Sequence, residues 1–188
     1  MTDKILIITG DAAETLEVYY PYYRLQEAGY EVHIGAPEKR TLQFVVHDFV
    51  DGFDTYTEKP GHTCQADVAL RDVDPADYVA VVVPGGRAPE YLRNNPEAQR
   101  IVRHVFERNI PVAATCHGPL LLAASGVLDG RTSAAYPELA VDVTTAGGVF
   151  EDGGGVVDGN LVTSRAWPDN GTWMKAFLQV LEKARVSA

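Results

Sequence analysis

Cysteine is nearly absent from this 188-residue chain: Cys64 and Cys116 are the whole supply. Two thiols without paired spacing exclude a disulfide framework and a cysteine-rich metal site. Basic residues are scarce too, 16 against 26 acidic ones, giving a formal net charge of -10 and a sequence pI near 4.9. That balance disfavours nucleic-acid binding by phosphate neutralisation and mainly implies solubility. No apolar run reaches membrane-spanning length, and Met1-Thr-Asp-Lys lacks a basic n-region and a long apolar h-region. The expectation is a cytoplasmic protein without membrane or nucleic-acid partners, in a compartment that keeps a working thiol reduced. Linkers, repeats and low-complexity tracts are missing, so residues 1–188 read as one domain, 46% hydrophobic and able to bury a sizeable core.

Metal-ligand spacing is absent as well. His33, His47, His62 and His104 share no ligand pattern, and His47-Asp48 reads as a polar loop. Gly153-Gly154-Gly155 lacks the Lys-Ser/Thr and the preceding strand of a phosphate loop. Asn170-Gly-Thr172 fits a glycosylation sequon but, without secretion, reads as a helix start. We therefore expect no metal and no cofactor.

What is present alternates between strand and helix. Ile5 to Thr9, Tyr30 to Ile34, Tyr78 to Val83 and Pro111 to Thr115 are short apolar strands. Helical patterns cover Leu16 to Ala28, ended by Gly29, and Pro96 to Arg108, with Ile101, Val102, Val105 and Phe106 inward. Leu120 to Ala124 reads as another helix, and Trp173 to Ala184 as a closing one capped by Asp169 or Asn170. Val156 to Thr163 is a hairpin with an Asp-Gly turn. The pattern predicts an α/β fold, a doubly wound, mostly parallel sheet with helices on both faces. Active sites of such sheets lie at the carboxyl ends of the strands. Glu38 to Ala66 fits no repeated unit, with Phe44-Val45-Val46 and Phe49-Val50 as short strands. It reads as an insertion that covers the site or packs on a partner subunit.

Cys116 occupies the corner between the strand Pro111–Thr115 and the helix after Pro119. A strand-to-helix corner exposes a nucleophile and aims backbone N–H groups at it. The following helix N-terminus predicts a thiol that titrates well below an ordinary cysteine.

Six blocks now carry a resemblance: Glu14-Thr-Leu-Glu17 with Pro21, Leu25-Gln-Glu-Ala-Gly29, Pro84-Gly-Gly-Arg-Ala-Pro-Glu90, Ala114-Thr-Cys-His-Gly-Pro119, Ala135-Tyr136-Pro137, and Val157 to Arg165. Together and in this order they resemble the ThiJ/PfpI superfamily, which shares a flavodoxin-like fold with class I glutamine amidotransferases. The chain is most like the branch named for the intracellular cysteine peptidase PfpI. It departs from the pattern at Cys64 and at the triple glycine.

The resemblance implies that Glu17 hydrogen-bonds the Cys116 sulfur. A carboxyl buried against a thiolate is expected to keep its proton and act as donor or shuttle. Glu14 has a weaker claim, as a carboxylate favoured at a helix start. Gly86 and His117 would supply oxyanion-hole N–H groups. His117 would serve as general base, although adjacent residues rarely align as nucleophile and base. The resemblance pairs His117 with a glutamate of a neighbouring subunit, the position of Glu90, and places Tyr136 near the thiol. It thus implies a homodimer or larger homo-oligomer.

The expected activity is a thiolate enzyme acting on electrophilic carbonyls of a small carbonyl or peptide substrate: a hydrolase or peptidase, or a glutathione-independent glyoxalase or deglycase. A redox-sensing or chaperone-like stress protein is the alternative from another class, with reversible oxidation at Cys116. An isonitrile hydratase-like lyase is a third.

Overall fold

A computed structural model describes residues 2–187. Three strands form the middle of the sheet: β1 (Lys4–Ile8), β6 (Ala80–Val83) and β7 (Val112–Thr115). Both of their faces are covered, which is why their sequences run continuously apolar instead of alternating. Beyond β1 lie β2 (Glu31–Ala36) and β5 (Val68–Ala69); beyond β7 lie β11 (Leu161–Ser164) and β10 (Val156–Asp158). The order is β10-β11-β7-β6-β1-β2-β5, parallel except for β10.

Helices α1 (Thr15–Glu27), α2 (Ala88–Leu92), α3 (Pro96–Glu107), α4 (Pro119–Ala124), α5 (Ala140–Thr145) and α6 (Asn170–Ser187) complete the fold. Val18 and Leu25 of α1, Ile101 and Val105 of α3, and Trp173 and Phe177 of α6 join the core formed by the central strands. Among the described residues no helix is long and apolar enough to cross a membrane.

The insertion is an antiparallel ribbon of β3 (Thr41–Asp48) and β4 (Thr57–Gln65). It pairs with the start of α1 through Glu14 and Val45, and Thr15 Oγ1 donates to the Val45 carbonyl at 2.9 Å. A smaller parallel pair joins β8 (Thr132–Ser133) and β9 (Val149–Phe150).

Four expectations need correction. Phe49-Val50 is not a strand but the exposed start of the ribbon's tip. The hairpin turn is Gly159-Asn160, since Asp158 still pairs with Leu161. Helix α6 starts at Asn170 and not at Trp173, and neither expected side chain caps it. Both carboxylate oxygens of Asp169 accept from Arg165, and Asn170 lies within the helix, its amide donating to the Leu16 carbonyl while its Oδ1 takes no hydrogen bond. His47-Asp48 is not a loop. An irregularity between Gln43 and Val45 shifts the in–out alternation of β3 and turns His47 inward, where it is 3% exposed.

Candidate active site

Loops after β1, β6 and β7 converge at the carboxyl edge of the sheet. Cys116 follows β7 with φ 57°, a left-handed conformation that costs a non-glycine residue about 1–3 kcal/mol. The surroundings enforce it: Cys116 N–H donates to the Ser164 carbonyl at 3.2 Å, and its carbonyl accepts from Tyr136 N–H at 2.9 Å. This corner overturns the doubt about adjacent residues. It brings His117 Nδ1 to 3.3 Å from Cys116 Sγ.

Glu17 arrives from α1. Glu14 caps that helix, its carboxylate accepting the Glu17 N–H at 2.9 Å. Pro21 has no N–H to offer the carbonyl four residues back, so the helical hydrogen bond to Glu17 is missing. The Glu17 carboxyl accepts from Gly85 N–H at 2.8 Å and bonds the Cys116 sulfur. A Cβ at Gly85 would fall 2.5 Å from the Cys116 Cβ, so only glycine permits this approach. The backbone N–H groups of Gly86 and His117 turn toward the sulfur, the two donors anticipated for an oxyanion hole.

Electrostatics here are governed by burial. Burial, and then the charge of Glu14, push the Glu17 carboxyl up to about 8. Burial raises Glu14 to about 7. Burial pushes the Cys116 thiol up, an ionised Glu17 pushes it further, and the Gly86 and His117 N–H groups pull it down. The expectation of a lowered thiol therefore fails. Cys116 is only 2% exposed, and α4 has six residues and begins on a proline with no N–H. His117 is lowered to about 4, first by burial and then by His47, so at neutral pH it is an uncharged imidazole.

Tyr136 is half-buried and stacks on His117, ring centroids 5.5 Å apart and planes 18° apart. Glu90 is exposed on α2, and neither a hydrogen bond nor an ion pair joins it to His117 of its own chain. Cys64 lies half-buried on β4, opposite Leu42. The triple glycine passes close to the turn before α6: a Cβ on Gly154 would meet the Asp169 carboxylate at 2.5 Å. Among the described residues no cluster of His, Cys, Asp and Glu could hold a metal ion.

The ribbon adds residues that sequence patterns missed. The Tyr56 hydroxyl lies 3.5 Å from His117 Nε2, and its ring meets both His117 and Tyr136 edge-on. His47 sits 4.3 Å from the Tyr56 ring centre and bonds Glu58 at 2.9 Å. Glu58 in turn takes two 2.7 Å hydrogen bonds from Arg87, next to Gly86. Phe49 stacks on Trp167, whose backbone N–H reaches Glu17. A cleft of about 290 Å³ bordered by Phe49, Tyr136, Glu138 and Arg165 adjoins this wall. Pairing residues 41–48 with 57–65 as a hairpin would have set His47 opposite Glu58.

Comparison with known proteins agrees with this fold. The chain is 39% identical over 179 residues to "Deglycase PH1704" of Pyrococcus horikoshii, covering 95% of this chain and 99% of that one. It is 38% identical over 179 residues to "Deglycase PfpI" of Pyrococcus furiosus, with the same coverage. The solved structure of a ThiJ/PfpI domain protein from Brachyspira murdochii superposes with a TM-score of 0.84 at 20% identity, covering 97% of this chain and 98% of that one, and so supports the fold alone. The profile of the DJ-1/PfpI family matches residues 3–180, and the chain belongs to that family.

Proposed function

We propose that the protein is a cysteine-dependent enzyme of the deglycase or glyoxalase type, acting on α-oxoaldehydes and their early adducts with amines and thiols. The observation that carries this is the surroundings of one sulfur: a carboxyl, an imidazole nitrogen at 3.3 Å and two backbone N–H groups about a strained, buried cysteine. The names of the two archaeal relatives support the same class.

The thiol proton passes to His117 Nδ1 while sulfur bonds to the aldehyde carbon and the carbonyl electron pair becomes an oxyanion. The Gly86 and His117 N–H groups stabilise that charge, and Glu17 delivers its proton to it. The Glu17 carboxylate then removes the C–H proton of the former aldehyde carbon and returns it to the neighbouring carbon as the electron pair shifts, while the hydroxyl proton on the first oxygen passes to the neighbouring carbonyl oxygen. A thioester of a 2-hydroxy acid results. Water cleaves it, giving one proton to the Glu17 carboxylate as its oxygen bonds to the thioester carbon, and the leaving sulfur recovers the proton held by His117. Glu17 suits the shuttle because burial has moved its titration to about 8, close to working pH.

A peptidase has less support: the two archaeal relatives carry deglycase names. Assembly enters this proposal through Glu90, which would have to reach His117 of another copy. The test is mass spectrometry of the protein quenched during turnover of methylglyoxal. An adduct on Cys116, with turnover lost in Cys116→Ser, supports the proposal; undiminished lactate formation by Cys116→Ser ends it.

A further inference from the structure

The two ring nitrogens of His117 face different groups. Nδ1 lies 3.3 Å from Cys116 Sγ, and Nε2 lies 3.5 Å from the Tyr56 hydroxyl. A neutral imidazole carries one N–H, and the nitrogen that keeps it is set by the partner of the other. To take the thiol proton, Nδ1 must be bare and Nε2 must hold the hydrogen. Among the described residues, Tyr56 is the hydrogen-bond partner of Nε2.

We propose that Tyr56 is a positioning residue of the thiol–imidazole pair, its hydroxyl oxygen accepting the His117 Nε2–H so that the bare Nδ1 faces the Cys116 thiol. This rests on the reading of Cys116 as the nucleophile. A third group that orients the base is the usual complement of a nucleophile–base pair, and here the same chain supplies it.

The imidazole plane is fixed from two directions. Tyr136 covers one face at 5.5 Å with planes 18° apart, and the Tyr56 ring approaches at 5.9 Å and 89°. Tyr56 is itself anchored over His47, and the succession His47, Glu58, Arg87 ties the ribbon to the loop that presents the Gly86 N–H. The hydroxyl is thereby placed relative to the sulfur and not merely near it. Its separation of 3.5 Å is that of a resting site, and it shortens as Nδ1 gains the thiol proton and the ring becomes cationic. Burial holds the Tyr56 phenol at about 12, so it stays neutral and adds no negative charge beside the forming thiolate. A carboxylate at the same place, such as Glu90 of another copy, would add one.

The test is nitrogen NMR of the His117 imidazole in the resting protein, combined with steady-state kinetics on methylglyoxal, for wild type, Tyr56→Phe and Glu90→Gln. Tyr56→Phe keeps the ring and its packing while deleting the oxygen. The expected result is an Nε2–H tautomer in wild type, a mixture of tautomers in Tyr56→Phe, and kcat lower by roughly tenfold with KM unchanged, the loss of about one hydrogen bond. An Nδ1–H tautomer in wild type would overturn the proposal, as would a Tyr56→Phe protein with unaltered tautomer and kcat. A tautomer that responds to Glu90→Gln but not to Tyr56→Phe would overturn it in favour of a carboxylate partner. The tautomer is read without turnover. Activity surviving in Cys116→Ser would thus sink the enzyme reading while leaving this result to stand or fall alone.

Discussion

The central sheet and the ribbon of residues 41–65 reach the same site by opposite routes. The sheet provides position through burial: β1, β6 and β7 are covered on both faces and hold the Cys116 corner and the Gly85–Gly86 turn at their carboxyl ends. The ribbon contributes little to that core, and much of it is polar or half-exposed, yet it presents Tyr56 and His47 to the His117 imidazole. Stability and site chemistry are therefore separable here. Damage to the sheet should unfold the protein, whereas damage to the ribbon should alter the site within an intact fold.

The largest expected effect lies where the sheet and α1 meet. Glu17→Gln retains a donor to the sulfur but cannot carry a proton, so turnover should fall by about 10²–10⁴-fold. Alkylation of Cys116 by a small reagent should persist. Unchanged kcat would remove Glu17 from the shuttle and leave the elbow to act alone.

Next in size is the contrast in stability. Ile7→Ala empties a fully buried position of β1 and should cost about 2–5 kcal/mol in urea unfolding. Phe53→Ala, at the ribbon tip and 58% exposed, should stay within about 0.5 kcal/mol. Equal losses at both would erase the division between frame and ribbon.

How much of this could be read in the sequence follows the same line. Apolar runs such as Ile5 to Ile8 and Val81 to Val83 announce buried parallel strands by composition alone, and the Cys116 corner is a local motif of strand, nucleophile and Pro119. Glu17, Gly86, His117 and Tyr136 were named from family motifs, and the fold gathers them around one sulfur. The ribbon was illegible because a bulge after Gln43 breaks the alternation by which strands are recognised, which made buried His47 look like loop. Tyr56 carries no local signal, since its role exists only once β3 and β4 pair and fold back over the elbow. The thiol was misjudged for a related reason: the corner motif suggests helix-end stabilisation, but the burial that outweighs it is a tertiary property.

A pH experiment sharpens the comparison further. Folding raises the Glu17 carboxyl from 4.5 to about 8, so between these values the folded chain holds a proton that the unfolded chain has released. Stability should accordingly fall as pH rises through this window. His117, ordinarily near 6.5 and lowered to about 4, gives the opposite slope, but only below its ordinary value. Glu14, raised to about 7, adds to the same decline below that value, so Glu17→Gln should flatten the decline between pH 7 and about 8, seen as urea midpoints that no longer drop there.

The smallest effect is expected at the ribbon's latch. Glu58→Gln keeps the shape but weakens the partly exposed pair with Arg87, costing less than about 1 kcal/mol of stability. Turnover should drop a few-fold as His47 and Tyr56 lose their fixed seat. A change in stability without any change in kcat would make the latch purely architectural.

The central claim is that the buried pair of Cys116 and Glu17 never carries two negative charges, because Glu17 keeps its proton at neutral pH. Isotope-edited infrared spectroscopy of the glutamate carboxyls, with Glu17→Gln to assign the band, tests this most directly. We predict a protonated Glu17 carboxyl at pH 7 that is lost only near pH 8. A Glu17 already ionised at pH 6 would contradict the account.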